Sequence, residues 1–350
     1  MEKILLFLLL LETLTGYNLN FLKEIDYKTK LGQILVVNIL PNEKPSFIKT
    51  LIKDYKIGNF NLIGSYRNEK EVKKIINTIK IEGKKYLNLS PLICVDEEGA
   101  ISRLIFLNSL PQKELKNPDK AYKESLRRGK ELKRLGFNLV FSPVLDYATE
   151  RDYIWNRTFQ SDKENSILLG ISMINGYKDA GIISIPKHFP GYINLEEDPH
   201  GNIVSNKSLK IYSNSIEIFK KVIESTNPLG IMFAHVVIDE FGEKPITRSK
   251  NFVDFFRKNF NYSGILVTDS VGMRSFKMND SFGQSSLEAL ISGYNLLILP
   301  SNKKESLKII EYLYKNLDRE DIKSAIDKSF TKIYIIKKFF LTNYESEDKK

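Results

Sequence analysis

Gly264-Ile265-Leu266-Val267-Thr268-Asp269-Ser270 is a short apolar run without alternation that ends on a carboxylate. Aliphatic and β-branched residues in unbroken sequence over this length read as a parallel strand buried on both faces. Seven more runs of this kind occur, at residues 34–40, 61–64, 92–96, 139–144, 182–188, 231–237 and 296–300; with 265–269 they make eight. Between and after them lie stretches with apolar residues at i, i+3 and i+4 among charges: 71–81, 119–135, 162–179, 209–226, 253–259, 287–292, 305–314 and 321–340. These read as amphipathic helices. Strand then helix, repeated eight times, predicts an α/β chain folded as a single-domain (β/α)8 TIM-type barrel. An open doubly wound sheet uses the same units, but it needs a glycine-rich turn after its first strand. Here that position reads Ile39-Leu40-Pro41-Asn42, and no G-x-x-x-x-G-K-[ST] loop occurs anywhere.

A barrel puts its active site at the C-terminal ends of its strands. Those positions hold Asp96, Asp146, Lys187, His188, His235 and Asp269. A carboxylate at Asp269 suits three tasks: attack on an anomeric carbon, metal binding, or capping of the next helix. With one cysteine, Cys94, and three histidines in the chain, no metal site and no disulfide framework are expected. The loop after the fifth run carries Asp198-Pro199-His200. A carboxylate beside an imidazole fixes its tautomer and raises its basicity, so such a histidine can give and take a proton near neutrality. Asp96, Arg103, Arg157 and Lys187 are available at or near the mouth, and charged groups of this kind can hold neighbouring hydroxyls, as sugar recognition would need, through charge-assisted bonds. Arg157 reads equally as one half of a surface salt bridge.

The 350 residues are 42% hydrophobic and 27% charged, ordinary values for a globular protein. They exclude a mostly disordered, a collagen-like and a polytopic membrane chain. The net charge of +10 comes from lysines scattered along the helical stretches. That pattern describes a solvated basic surface, and no nucleic-acid partner is expected. Residues 4–11 form an unbroken apolar run behind Lys3. Eight residues fall short of the about 20 that span a bilayer. They suit the core of a signal peptide over 1–16, with the barrel domain over 17–350. Export, periplasmic or secreted, is the expectation, with no stable membrane insertion after cleavage. The competing reading is a first amphipathic helix of a cytoplasmic protein, to which Glu2 and Glu12 are suited.

An ordered series of motifs then resembles glycoside hydrolase family 3, in particular its single-domain β-N-acetylglucosaminidases. Lys30-Leu31-Gly32-Gln33 is similar to the family's K-[IL]-G-Q, Val95-Asp96-Glu97-Glu98-Gly99 to D-[QE]-E-G, and Ser142-Pro143-Val144-Leu145-Asp146 to A-P-V-x-D. Arg157-Thr158-Phe159 is similar to R-[ST]-F. Lys187-His188-Phe189-Pro190-Gly191 with Asp198-Pro199-His200 is similar to K-H-F-P-G and D-[ST]-H. Ile231-Met232-Phe233-Ala234-His235-Val236 resembles the M-x-A-H-V strand, and Thr268-Asp269-Ser270 with Met273 resembles [ST]-D-x-L-x-M.

The resemblance implies a retaining exo-β-N-acetylglucosaminidase that needs no cofactor and takes non-reducing terminal GlcNAc from peptidoglycan-derived or chitin-type fragments. It implies Asp269 as nucleophile, forming a covalent glycosyl-enzyme, and His200 oriented by Asp198 as general acid/base. Asp96, Arg103, Arg157, Lys187 and His188 would bind the sugar. A β-glucosidase or xylosidase of the same family, phosphorolysis in place of hydrolysis, and an eroded barrel that only binds carbohydrate are the alternatives. Two departures stand out. Tyr192-Ile193 replaces the H-G that closes K-H-F-P-G-H-G, and the segment from Asp96 to Arg103 is one residue shorter than D-x-E-G-G-R-V-x-R and lacks its first arginine.

Overall fold

The structure is a computed structural model that describes residues 19–194, 201 and 208–341. The signal-peptide reading of 1–16, and both Asp198 and His200, therefore lie outside the described residues. Eight strands alternate with helices: β1 (Leu35–Ile39), β2 (Asn59–Leu62), β3 (Leu92–Val95), β4 (Leu139–Val140), β5 (Ile183–Ser184), β6 (Gly230–Phe233), β7 (Ile265–Ser270) and β8 (Leu296–Ile298). They lie side by side in the order β5-β4-β3-β2-β1-β8-β7-β6, parallel at every pairing. The seam between β5 and β6 is bridged just beyond the regular ladder. There Met232 N–H donates to Pro186 O (3.0 Å), Phe189 N–H to Met232 O (2.8 Å) and Ala234 N–H to Phe189 O (2.9 Å). The sheet thus closes into the expected barrel.

Two strands stop well short of their apolar runs, and prolines explain why. Pro143 and Pro186 have no N–H to give a ladder. β4 and β5 therefore end at Val140 and Ser184; past the prolines Lys187 N–H reaches Pro143 O at 2.9 Å and Leu145 N–H reaches Lys187 O at 2.6 Å. Beneath the β5–β6 seam, Phe189 packs edge-on against Phe219, Phe233 and Phe256 at centroid distances of 5.1, 5.4 and 4.8 Å. Such edge-to-face contacts anchor the start of the loop that follows β5.

Besides short turns at Tyr27–Gly32 and Arg274–Lys277, the helices are α1 (Pro45–Lys53), α2 (Glu69–Tyr86), α3 (Pro118–Leu135), α4 (Lys163–Asp179), α5 (Ser213–Thr226), α6 (Lys250–Phe260), α7 (Phe282–Ser292), α8 (Lys303–Lys315) and α9 (Glu320–Ile336). The periodicity reading placed no helix at α1. It forms behind Pro45 at its first turn and buries Ile48, Leu51 and Ile52, a stripe of only three residues. Asn68, Asn117, Asp162, Ser249, Ser281 and Asn302 each cap a helix by accepting the N–H three residues on. After α9 the chain widens into a π-turn, Lys337–Leu341. From there Lys337 reaches under the barrel to donate to Gln33 Oε1 (2.7 Å) and Gly58 O (2.9 Å). No helix among the described residues is long and apolar enough to cross a membrane.

Candidate active site

β7 carries Asp269, and a bulge aims it. Val267 pairs with Leu296 and Ser270 with Ile298, so three steps along β7 oppose two along β8. The extra residue bends the strand end and re-aims its side chain, as bulges commonly do beside active sites. The carboxylate is held at both oxygens: Ser270 N–H donates to Oδ1 (2.6 Å) and the Tyr192 hydroxyl to Oδ2 (2.9 Å). Below the bulge, His235 ties β6 to β7. The Ser270 carbonyl only accepts, so His235 Nε2 carries the proton and donates to it (3.1 Å), while Nδ1 lies 2.8 Å from Thr247 Oγ1. His235 is fully buried by these contacts and does not line the cavity.

Across the mouth, Lys187 places its ammonium 2.7 Å from Asp96 Oδ1 and also against Glu98. Glu98 is fully buried and takes Arg157 in a two-pronged bond, Nε and Nη2 each at 2.9 Å. Burial alone would raise the Glu98 pKa, but Arg157 and Lys187 outweigh it and hold the carboxyl far below its ordinary value. Burial likewise works against the charge on Lys187, and Asp96 and Glu98 reverse the effect and raise its pKa. Glu98, Arg157 and Lys187 therefore stay ionised.

Asp146 organises the third wall. Its Oδ2 accepts from the His188 backbone N–H (2.9 Å) and lies 3.0 Å from His188 Nδ1; its Oδ1 accepts from Tyr192 N–H (2.6 Å). Burial opposes the charge on Asp146, yet His188 and these donors lower its pKa. Arg157 has only donors and its Nη2 lies 3.4 Å from His188 Nε2, so these partners assign the ring proton to Nδ1. His188 Nε2 then stands 4.0 Å from Asp269 Oδ2.

These groups surround a cavity of about 450 Å³, a volume that suits a monosaccharide with part of a leaving group. Of the residues expected at the site, Asp96, Arg103, Arg157, Lys187, His188 and Asp269 all line it. Arg103 arrives there despite the shortened segment. Gly99 turns the chain at φ +91°, where an added Cβ would lie 2.1 Å from Leu110 O. Glu97 then gathers Ser102 Oγ (2.6 Å), Arg103 N–H (3.0 Å) and Leu104 N–H (3.1 Å), and so presents Arg103 to the cavity.

Sequence reading gave no role to Glu98, Tyr192, Asn38 or Asn61. The two asparagines stand inside β1 and β2 at the cavity floor, with Asn61 Nδ2 reaching Asn38 Oδ1 (3.0 Å) and Asp96 Oδ2 (3.3 Å). Their signal was present: a lone amide in an apolar strand needs a partner. What the described site can do is hold a polar ring by several charged groups and offer the Asp269 carboxylate to it.

A model of the glycosyl hydrolase family 3 N-terminal domain matches residues 27–336. The chain belongs to glycosyl hydrolase family 3. A β-hexosaminidase of Haemophilus influenzae is 28% identical over 262 residues, covering 71% of this chain and 74% of that one. A β-hexosaminidase of Photobacterium profundum is 23% identical and covers 80% and 85%. Among solved structures, a family 3 β-N-acetylglucosaminidase from a Paenibacillus species superposes with a TM-score of 0.80 at 22% identity, covering 91% of this chain. This family 3 chain spans 63% of that longer one. A β-N-acetylhexosaminidase from Beutenbergia cavernae superposes at 0.79 with 17% identity, covering 89% of this chain and 98% of that one. At these identities the structural likeness is one of fold.

Proposed function

We propose that this family 3 hydrolase is an exo-acting β-N-acetylglucosaminidase that works with retention of configuration. One observation carries the reading. Asp269, doubly anchored at a bulged strand end, faces a cavity whose other walls are the Asp96–Lys187–Glu98–Arg157 network and His188. The relatives named β-hexosaminidases support GlcNAc as the sugar. Asp96, Arg103, Arg157, Lys187 and His188, which line the cavity, bind its hydroxyls.

In the first step Asp269 attacks the anomeric carbon and an ester forms as the glycosidic bond breaks. His200, oriented by Asp198, gives its proton to the departing oxygen. In the second step His200 takes a proton from water, the water oxygen adds to the anomeric carbon, and the ester releases Asp269. A histidine thus replaces one of the two carboxyl groups that such enzymes usually employ. With residues 1–16 as a signal peptide, the substrates are peptidoglycan-derived or chitin-type fragments met outside the cytoplasm.

Aryl β-glycosides test the proposal. Wild type turns over the β-GlcNAc substrate in preference to the β-glucoside and β-xyloside, and Asp269→Ala loses about 10³-fold or more in kcat. His200→Ala loses turnover of substrates with poor leaving groups and regains rate with azide on an activated one. Wild-type rates in both variants would overturn the assignment.

A further inference from the structure

Tyr192 stands where the family pattern K-H-F-P-G-H-G has its second histidine. Its side chain is 2% exposed, and its hydroxyl lies between two groups. His235 backbone N–H, at 3.0 Å, can only donate to it; Asp269 Oδ2, at 2.9 Å, accepts. A phenol has one proton. With the backbone N–H filling a lone pair, that proton goes to Asp269, and the direction of the bond is forced. The Tyr192 backbone is pinned in turn by Asp146 Oδ1 at 2.6 Å, the carboxylate that also orients His188.

We propose that Tyr192 is a positioning residue for Asp269, a neutral donor that holds the carboxylate in its attacking orientation and receives its charge when the ester breaks. The inference rests on the reading of Asp269 as nucleophile. Ser270 N–H fixes Oδ1 and Tyr192 fixes Oδ2, so the carboxylate plane has no freedom to turn. As the anomeric carbon bonds to one oxygen, negative charge leaves the carboxylate; as water displaces it, the charge returns, and a donor already in place needs no reorganisation. Burial, then the neighbouring Asp269 charge, pushes the Tyr192 pKa well up, so the phenol keeps its proton through the working range. An imidazole in the same place titrates near neutrality. The exchange of histidine for tyrosine therefore removes a titrating group from beside the nucleophile.

The test measures kcat, KM and the pH dependence of kcat/KM for Tyr192→Phe and Tyr192→His beside wild type and Asp269→Ala. Around Asp269 the described charged and titratable groups include His188 and Arg157, which neither Tyr192 substitution alters. Tyr192→Phe lowers kcat about 10- to 100-fold with KM within about threefold, a loss confined to the reacting steps. Its acid limb moves up by about half a unit to one pH unit, because a carboxylate that loses a donor protonates more readily. Tyr192→His gains an inflection between about pH 5 and 8, the range in which an imidazole titrates. A folded Tyr192→Phe with wild-type kcat and acid limb, or a Tyr192→His profile without the new inflection, overturns the proposal. If these fail while Asp269→Ala is inactive, only the role of Tyr192 falls. If Asp269→Ala stays active, the nucleophile assignment falls with it.

Discussion

The two ends of the barrel bury cations in opposite ways. At the mouth, Lys187 and Arg157 sit against Asp96 and Glu98, and their charges hold each other in place. At the floor, Lys337 rests on Gln33 Oε1 and Gly58 O, and Lys332 on the carbonyls of Ser263 and Gly264. Those acceptors are neutral. Burial therefore lowers both lysines to about 7, with Arg257 adding to the effect at Lys332. The same residue type is a fixed charge above the sheet and a titratable donor beneath it. The difference lies in whether a carboxylate was buried alongside. Charge is kept at the mouth, where carboxylates are buried beside the cations, and titrates near neutrality at the floor, where the acceptors are neutral.

Removing the acid from the mouth breaks the contrast most severely. Glu98→Gln leaves Lys187 and Arg157 short of a counter-charge, and removal of one partner from a buried network costs about 3–5 kcal/mol. Urea unfolding at pH 7 reads this as a lowered midpoint with unchanged slope. The sign with pH follows from the depressed folded pKa. Wild type holds this contribution above the unfolded glutamate value of about 4.3 and loses it as pH falls below. The variant shows no such loss, so the two curves converge in acid.

At the floor the expected effect is smaller and falls in a higher pH window. Lys337 titrates at about 7 when folded, against about 10.4 in an unfolded chain. Between those values the unfolded state binds more protons, so wild-type stability rises with pH. Lys337→Met removes that dependence. Relative to the variant, wild type gains about 2 kcal/mol between pH 7 and pH 9. Unfolding midpoints at the two pH values read the difference, and equal shifts in both proteins would show that the floor lysine stays charged. The smallest effect is a control. Asn117→Ala removes a neutral cap from the start of α3, whose side chain accepts Lys120 N–H. It costs about 1 kcal/mol and leaves the pH profile unchanged.

Much of the site was legible because a barrel turns strand ends into site positions. Asp96, Lys187, His188 and Asp269 each follow an apolar run, and each lines the cavity. Glu98 was not legible, for a physical reason. Asp96, Glu97 and Glu98 are three consecutive acids with nothing in their order to rank them. The turn at Gly99 folds Glu97 back onto its own loop and leaves Glu98 facing Lys187 and Arg157. Tyr192 read as an erosion of a motif. Its partner Asp269 is 77 residues away, and only barrel closure brings the hydroxyl to the carboxylate.

From residue order alone came the alternation of eight apolar runs with amphipathic stretches, hence the barrel, and the chemistry present at its mouth. Such features are local: periodicity sets which face is buried, and strand direction sets which end carries the site. The tertiary structure decided which acid is buried, which lysine keeps its proton and which hydroxyl meets Asp269. Those outcomes depend on the distance between charges and on the water excluded around them, and neither quantity exists until the chain has closed on itself.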